Sequence, residues 1–169
     1  VVLGKRIRND AHTALAAGGI NAVLGTVDIE DSWQQHYVDT YEEGYYLADP
    51  RTVELLVREA PARLAELIRW GTPFARTLEG KIDQRYFGAH TYRRTCYAGD
   101  YTGRAILRTL TERVEELGIP ILDLQYVSRL LVDGAGDDRQ CFGAMGFDMV
   151  SGERTAYIAD SVILAAGGH

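Results

Sequence analysis

The stretch AHTALAAGGINA, residues 11–22, contains two adjacent glycines, Gly18 and Gly19. They lie about fifteen residues after an apolar segment, Val1–Leu3, that is typical of the end of a buried strand. Glycine adopts positive φ and lets a ligand approach the backbone closely, and open α/β sheets bind ligands at the carboxyl ends of their strands. A glycine pair alone is more often an ordinary turn, so it indicates a ligand site only together with the rest of the chain.

The composition is that of a globular protein of one domain. The chain has 169 residues, of which 46% are hydrophobic and 25% charged, which excludes an intrinsically disordered or collagen-like chain. A formal net charge of −6 argues against a nucleic-acid module, since such modules carry a basic surface. No apolar run reaches the roughly 18–20 residues of a membrane span. Cys96 and Cys141 form no C-x-x-C pair, which favours a reducing compartment.

Both ends of the sequence have the pattern of strands that pair with chain outside it. Val1–Leu3 is apolar from the first residue, and Val162–Ala166 is a continuous apolar run before Gly167 and Gly168. A buried parallel strand needs neighbours on both sides. We therefore expect residues 1–169 to be an interior piece of a larger protein.

Apolar spacing predicts three helices, over residues 33–43, 50–71 and 103–117. Asp31 is a plausible N-cap for the first of them. Pro61 interrupts the second, so a kink or two consecutive helices are expected there.

The remainder of the chain is predicted to be an ordered loop region followed by strands. Residues 72–102 have no clear period. After the third helix the apolar period becomes two, which is typical of strands, and the predicted strands cover residues 121–132, 141–149 and 154–159. The order of strand, long helical excursion, strand, antiparallel meander and strand indicates an α/β fold.

The sequence also resembles a known family in five short stretches that keep the same order. Residues 11–22 are similar to the S-H-T-x-x-A-Q-G-G-I-x-A stretch of succinate dehydrogenase and fumarate reductase flavoprotein subunits. The other four stretches are Asp31-Ser32-Trp33 with His36, Asp39-Thr40 and Gly44; Trp70–Phe74 with Gln84–Gly88; Arg94–Leu110; and Leu164–Gly168. The resemblance therefore covers essentially the whole chain.

The resemblance implies a partial FAD-binding Rossmann-like domain of the glutathione-reductase type over residues 1–169. The phosphate-binding loop would precede residue 1 and a capping domain would follow residue 169. The implied reaction of the tricarboxylic acid cycle and electron transport is hydride transfer between succinate or fumarate and FAD, with electrons passed to an iron-sulfur subunit. The implied complex also has a membrane anchor subunit, and its location would be cytoplasmic or peripheral on the cytoplasmic face of the inner membrane. No catalytic residue is expected in this segment, and the fragment alone is expected to be inactive.

The same resemblance assigns site residues. His12 matches the histidine that bonds covalently to the flavin 8α-methyl group, and a neutral imidazole nitrogen is a competent nucleophile near neutral pH. The residues expected beside FAD, mostly through their backbone, are His12, Gly4, Lys5, Thr13, Ala16, Ala17, Gly18, Gly19, Val127, Ala166 and Gly167. Those expected near the dicarboxylate are Gly19, Phe87, Gly88 and His90.

The sequence departs from the family at two site positions and leaves alternatives open. Ala17 stands where the family has glutamine, and Ala89 replaces the second glycine of F-G-G. Arg93 and Arg94 could pair with a carboxylate ligand, but the family comparison makes Arg94 a structural residue. L-aspartate oxidase resembles the chain in the same stretches and holds FAD without a covalent link. A soluble fumarate reductase and a non-catalytic flavoprotein fragment are further alternatives.

Overall fold

A computed structural model describes residues 1–167 and divides the chain into two compact units. One unit contains Val1–Ala11 and the chain from Val114 onward, and the other is His12–Arg113. The helices and strands, in chain order, are β1 Val2–Leu3, β2 Ile20–Asn21, α1 Trp33–Glu43, α2 Pro50–Arg69, β3 Gln84–Arg85, β4 Thr95–Cys96, α3 Thr102–Glu116, β5 Ile121–Leu122, β6 Gln125–Asp133, β7 Gln140–Asp148 and β8 Arg154–Ile158. Within residues 1–167, no helix is both long and apolar enough to cross a membrane.

The N-terminus of α1 is capped by Ser32 and not by Asp31, so that prediction was wrong. The Ser32 hydroxyl accepts a hydrogen bond from the N–H of Gln35 at 3.2 Å. The Asp31 carboxylate instead forms an ion pair with the buried guanidinium of Arg94. Asp31 therefore binds Arg94, which is distant in sequence, and does not cap the helix as the local pattern predicted.

Helix α2 runs through Pro61 without a break, which overturns the expectation of two helices. A proline in a helix interior lacks the N–H for its hydrogen bond and costs about 3 kcal/mol. The helix continues because its buried side chains lie on one face on both sides of the proline. These side chains are Val53, Val57, Leu64 and Leu67.

The core of the His12–Arg113 unit packs α2 against a small antiparallel sheet. Its buried apolar residues are Ala22, Leu64, Leu67, Phe74, Ile82 and Cys96. The sheet has the order β2-β4-β3, and its register places Ile20 opposite Cys96 and Asn21 opposite Thr95. The region predicted to be an ordered loop, residues 72–102, thus also supplies two strands of two residues each.

The other unit contains a parallel pair and an antiparallel meander, which confirms the α/β class and the predicted meander. β1 pairs with β5 in parallel, and β6, β7 and β8 form a three-stranded antiparallel sheet. The predicted strand over residues 121–132 is divided, because Leu124 has a φ of 57° and turns the chain between β5 and β6.

The first terminal segment contains a strand, as predicted, but that strand is not buried within the described chain, and the last segment forms no strand there. Val1 and Val2 are 64% and 44% exposed, and Ile163 is 90% exposed. Residues 162–167 belong to no strand, and β1 pairs only with β5 among the described residues. An apolar run forms a buried strand only where neighbouring strands cover it. Gly168, part of the expected closing turn, lies outside the described residues.

Candidate functional site

The glycine loop, residues 16–19, leads directly into β2 and packs too closely to carry side chains at its two glycines. Gly19 has a φ of +134°, and a Cβ atom there would lie 2.5 Å from the carbonyl oxygen of Cys96. A Cβ atom at Gly18 would lie 2.6 Å from the ring of Phe87. The structure therefore places the ring of Phe87 against Gly18.

Helix α3 holds the other side of this loop through its first turn. The N–H of Gly103 donates to the carbonyl oxygen of Ala16 at 2.8 Å. A Cβ atom at Gly103 would lie 1.9 Å from the carbonyl oxygen of Thr13. Only glycine at this position allows α3 to approach the 3-10 turn His12–Leu15 so closely.

His12 lies in this 3-10 turn and its side chain is exposed, and so are Thr13, Ala16 and Ala17. Within the described chain, the N–H groups of Ala17 and Gly18 donate to no protein acceptor. An exposed, narrow backbone with free donors fits a flat ring that carries acceptor atoms, since backbone N–H groups are strong hydrogen-bonding groups. The residues present therefore fit a flavin at this loop.

His90 is joined to the strand that follows the glycine loop. The Asn21 side-chain oxygen accepts from the Thr95 hydroxyl at 2.6 Å, which leaves the Asn21 amide nitrogen to donate to His90 Nε2 at 3.2 Å. Burial and the nearby charge of Arg94 lower the pKa of His90. The ring is therefore neutral near pH 7 and carries its proton on Nδ1. That Nδ1 atom is buried and has no hydrogen-bond partner within residues 1–167.

Arg94 immediately precedes β4 and is fully buried. Its guanidinium pairs with Asp31 at 2.7 Å and with Asp39 at 2.5 Å. Burial would raise the pKa of Asp39, but hydrogen bonds from the Thr91 backbone, Gln35 and Arg94 outweigh it and lower that pKa to about 2. With two carboxylates already bound and no exposure, Arg94 supports the frame of the unit and is closed to a carboxylate ligand.

Two further buried groups have strongly shifted pKa values. Burial, reinforced by the charge of Arg94, lowers the pKa of His36 to about 4, and its ring centroid lies 6.5 Å from that of His90. Burial raises the pKa of the Cys96 thiol to about 12. Neither side chain is charged near pH 7.

The remaining predicted cofactor residues belong to the unit that begins with β1. The Gly4 carbonyl oxygen accepts from the N–H of Gln125 at 2.9 Å, at the start of β6. The Lys5 ammonium lies 5.3 Å from the ring centroid of Tyr126. Val127, the next residue of β6, is 39% exposed. Gly4, Lys5 and Val127 thus occur near one sheet end, whereas Ala166 and Gly167 lie in an exposed segment outside the strands.

Sequence reasoning assigned no role to Asn21, Thr95 or Arg85, although all three contact predicted site residues. Arg85 donates from Nη2 to the carbonyl oxygens of Gly18 at 2.8 Å and Ala17 at 3.2 Å. The Q-R-x-F-G pattern contains Arg85, but the contact depends on the pairing of β3 with β4. No local period in the sequence indicates that pairing.

Comparison with protein families gives one match over the whole chain, residues 1–169, to a family described as FAD binding domain. The chain belongs to the FAD binding domain family. Its cofactor is FAD, as the sequence predicted. The resemblance to flavoprotein subunits is also confirmed by individual relatives.

Two curated relatives and one solved structure illustrate the similarity. The chain is 44% identical over 156 residues to a subunit of the fumarate reductase (CoM/CoB) of Methanothermobacter marburgensis, covering 92% of this chain and 28% of the relative. It is 36% identical over 167 residues to the succinate dehydrogenase flavoprotein subunit of Rickettsia conorii, covering 94% and 27%. The structure of Mycobacterium smegmatis Sdh1 in complex with UQ1 aligns with a TM-score of 0.87 at 39% identity, covering 99% and 29%. The chain thus spans under a third of the length of these relatives.

Proposed function

We propose that this chain is the part of a flavoprotein subunit that holds the flavin ring during interconversion of succinate and fumarate. The observation that carries the proposal is the glycine loop, where Gly18 and Gly19 leave no room for side chains and the adjoining N–H groups donate to no protein acceptor within residues 1–167. FAD, when bound, supplies the two-electron chemistry by accepting a hydride from succinate or returning one to fumarate. Relatives named fumarate reductase and succinate dehydrogenase support this substrate class.

The residues of the loop and its neighbours have distinct roles in this proposal. The N–H groups after Ala16 bind acceptor atoms of the ring, while Phe87 and Gly88 border the dicarboxylate. His90 faces the same region as a neutral group, held by Asn21. Gly4, Lys5 and Val127 contact the adenosine end, and Ala166 and Gly167 pass the diphosphate.

His12 is proposed to attach the cofactor covalently. When FAD is bound, the exposed imidazole of His12 would hold the 8α carbon of the ring through one of its nitrogens.

The rest of the enzyme lies outside these residues in the proposal. A phosphate-binding loop, a capping domain and the catalytic groups that move the substrate proton are contributed by other segments, around a Rossmann-like domain of the glutathione-reductase type. Electrons leave through an iron-sulfur subunit, and an anchor subunit holds the complex at the cytoplasmic face of the membrane. The similarity to 29% of the Sdh1 chain supports a longer flavoprotein of which these residues are one part.

The test begins with the whole protein purified with its flavin. Acid precipitation should leave yellow colour on the polypeptide of the unaltered protein and release it from His12→Ser. His90→Gln is a matched control that should keep the colour. Release of all flavin from the unaltered protein would contradict the covalent link and favour the L-aspartate oxidase alternative.

The substrate is tested with the same preparation. Succinate should reduce the bound flavin, and fumarate should reoxidise it, as followed by absorbance near the flavin bands. L-aspartate is the comparison substrate. Reduction by L-aspartate and not by succinate would overturn the succinate–fumarate assignment and favour the L-aspartate oxidase alternative, and failure to bind FAD would overturn the proposed function as a whole.

A further inference from the structure

Arg85 is a cation that is bound to backbone carbonyls and to no carboxylate within residues 1–167. Its Nη2 atom donates to Gly18 at 2.8 Å, to Ala17 at 3.2 Å and more weakly to Gly99 at 3.4 Å. The two shorter contacts are to carbonyl oxygens of the glycine loop. This differs from Arg93 and Arg94, each of which pairs with aspartate.

The guanidinium of Arg85 also packs on the ring of Tyr97. Its central carbon lies 4.3 Å from the ring centroid of Tyr97, and the Tyr97 hydroxyl donates to Asp83 at 2.5 Å. A cation stacked on an aromatic face is attracted to it. Asp83 and Tyr97 therefore form a fixed support on which the arginine rests.

The carbonyl contacts determine where the neighbouring N–H groups point. A trans peptide is planar, so the N–H of Gly18 is directed away from the Ala17 carbonyl, and the N–H of Gly19 away from the Gly18 carbonyl. With both carbonyls turned toward Arg85, both N–H groups are turned to the opposite side of the loop. The third carbonyl, that of Ala16, is held by Gly103.

We propose that Arg85 is a positioning residue that aims the N–H groups of Gly18 and Gly19 at the flavin ring and places a positive charge behind them. The inference rests on the proposed function, in which FAD lies against the outer side of this loop. Preorganised dipoles aimed at developing negative charge stabilise it without reorganisation. Reduction adds electrons to the ring, so this arrangement favours the reduced cofactor.

The experiment measures the midpoint potential of FAD bound to the whole protein. Arg85→Gln removes the charge and the Nη2 donor, and it should lower the equilibrium constant for two-electron reduction by about tenfold, which is about 30 mV. Arg85→Lys keeps a charge on a single-point donor and should give a smaller change in the same direction. Arg93→Gln is the matched control, since it removes a neighbouring charge that pairs with Asp28, and it should leave the potential unchanged.

Hydrogen exchange of the peptide that contains residues 16–20 gives a second readout. Arg85→Gln should speed this exchange, and Arg93→Gln should not. An unchanged potential in folded, FAD-loaded Arg85→Gln overturns the inference while leaving the proposed function intact. If Arg85→Gln does not fold, Arg85→Lys decides, and unchanged potential and exchange in that variant overturn the inference. Absence of FAD from the unaltered protein is instead the failure of the proposed function.

Discussion

Two regions of the same unit are built around arginines less than ten residues apart, and they use them in opposite ways. Around Arg94, two carboxylates balance a guanidinium with no exposure. At the glycine loop, Arg85 donates hydrogen bonds to the carbonyl oxygens of Ala17 and Gly18. The N–H of Gly18 has no acceptor within the described chain. The charged groups around Arg94, which support the fold, are paired with one another. The N–H of Gly18 is left open where we expect a ligand, because an open donor costs little only when solvent or a ligand can reach it.

Removing the charge from the paired region should have the largest effect on stability. Arg94→Gln leaves Asp31 and Asp39 as uncompensated buried carboxylates, and breaking a buried pair in this way costs about 3–5 kcal/mol. Urea-induced unfolding of the whole protein measures the loss. Arg93→Gln should cost much less, because Arg93 is partly exposed and surface pairs contribute little. Equal decreases in the free energy of unfolding for Arg94→Gln and Arg93→Gln would show that burial of the Arg94 ion pairs adds nothing to stability.

Acid should weaken the paired region through His36. Its pKa is about 4 in the folded protein and about 6.5 in an unfolded chain. Above pH 6.5 neither state is protonated at this site. As the pH falls from 6.5 to 4, the unfolded state gains the proton first, so the free energy of unfolding decreases, by about 3 kcal/mol over the window.

The difference between the unaltered protein and His36→Gln isolates this contribution. Urea titrations at several pH values should show a steeper decline for the unaltered protein between pH 6.5 and 4. If the free energy of unfolding depended on pH in the same way in both proteins, His36 would be hydrated in the folded state. Water would then reach the region around Arg94.

In the glycine loop, Gly18 and Gly19 should differ in how much an alanine substitution destabilises the protein. Gly19→Ala places a side chain at φ +134° against the Cys96 carbonyl, and such strain costs about 1–3 kcal/mol. Gly18→Ala meets only the ring of Phe87, which is 55% exposed and can move aside. Urea unfolding and FAD content of the purified protein should both fall more in Gly19→Ala. Equal effects would show that Phe87 is held in place.

The smallest expected effect is at the cap of α1. Ser32→Ala removes the hydroxyl that accepts from the Gln35 N–H, and losing such a cap costs about 1 kcal/mol. Asp31→Asn is the comparison, since it also alters the pairing of Arg94 and should cost more. A larger loss from Ser32→Ala than from Asp31→Asn would show that the ion pair between Asp31 and Arg94 contributes little to stability.

Local patterns predicted the parts of the fold that local physics determines. The helix over residues 33–43 and the meander follow from side-chain periodicity, and both are confirmed. Asp31 was assigned wrongly because its partner, Arg94, is 63 positions away in sequence. The break predicted at Pro61 does not occur, because the packing of the buried helix face outweighs the cost of the proline. Helix propensity alone does not include that packing energy.

The same division applies to the candidate site. The glycine loop and Phe87 could be predicted because their residue types match a known pattern, and the structure brings them together. Arg85 and Asn21 could not, because their contacts depend on the register of strands only two residues long. Such strands are too short to show a period in sequence.

The burial of Cys96 in the central strand of the small sheet has a practical consequence. Its thiol has no exposure and a pKa raised to about 12, whereas Cys141 is partly exposed. Since thiolates are the species that alkylating reagents attack, Cys141 should be modified in the native state and Cys96 only when the strand opens. Peptide mapping after iodoacetamide treatment would therefore measure, through Cys96, how often the sheet β2-β4-β3 opens in the native protein.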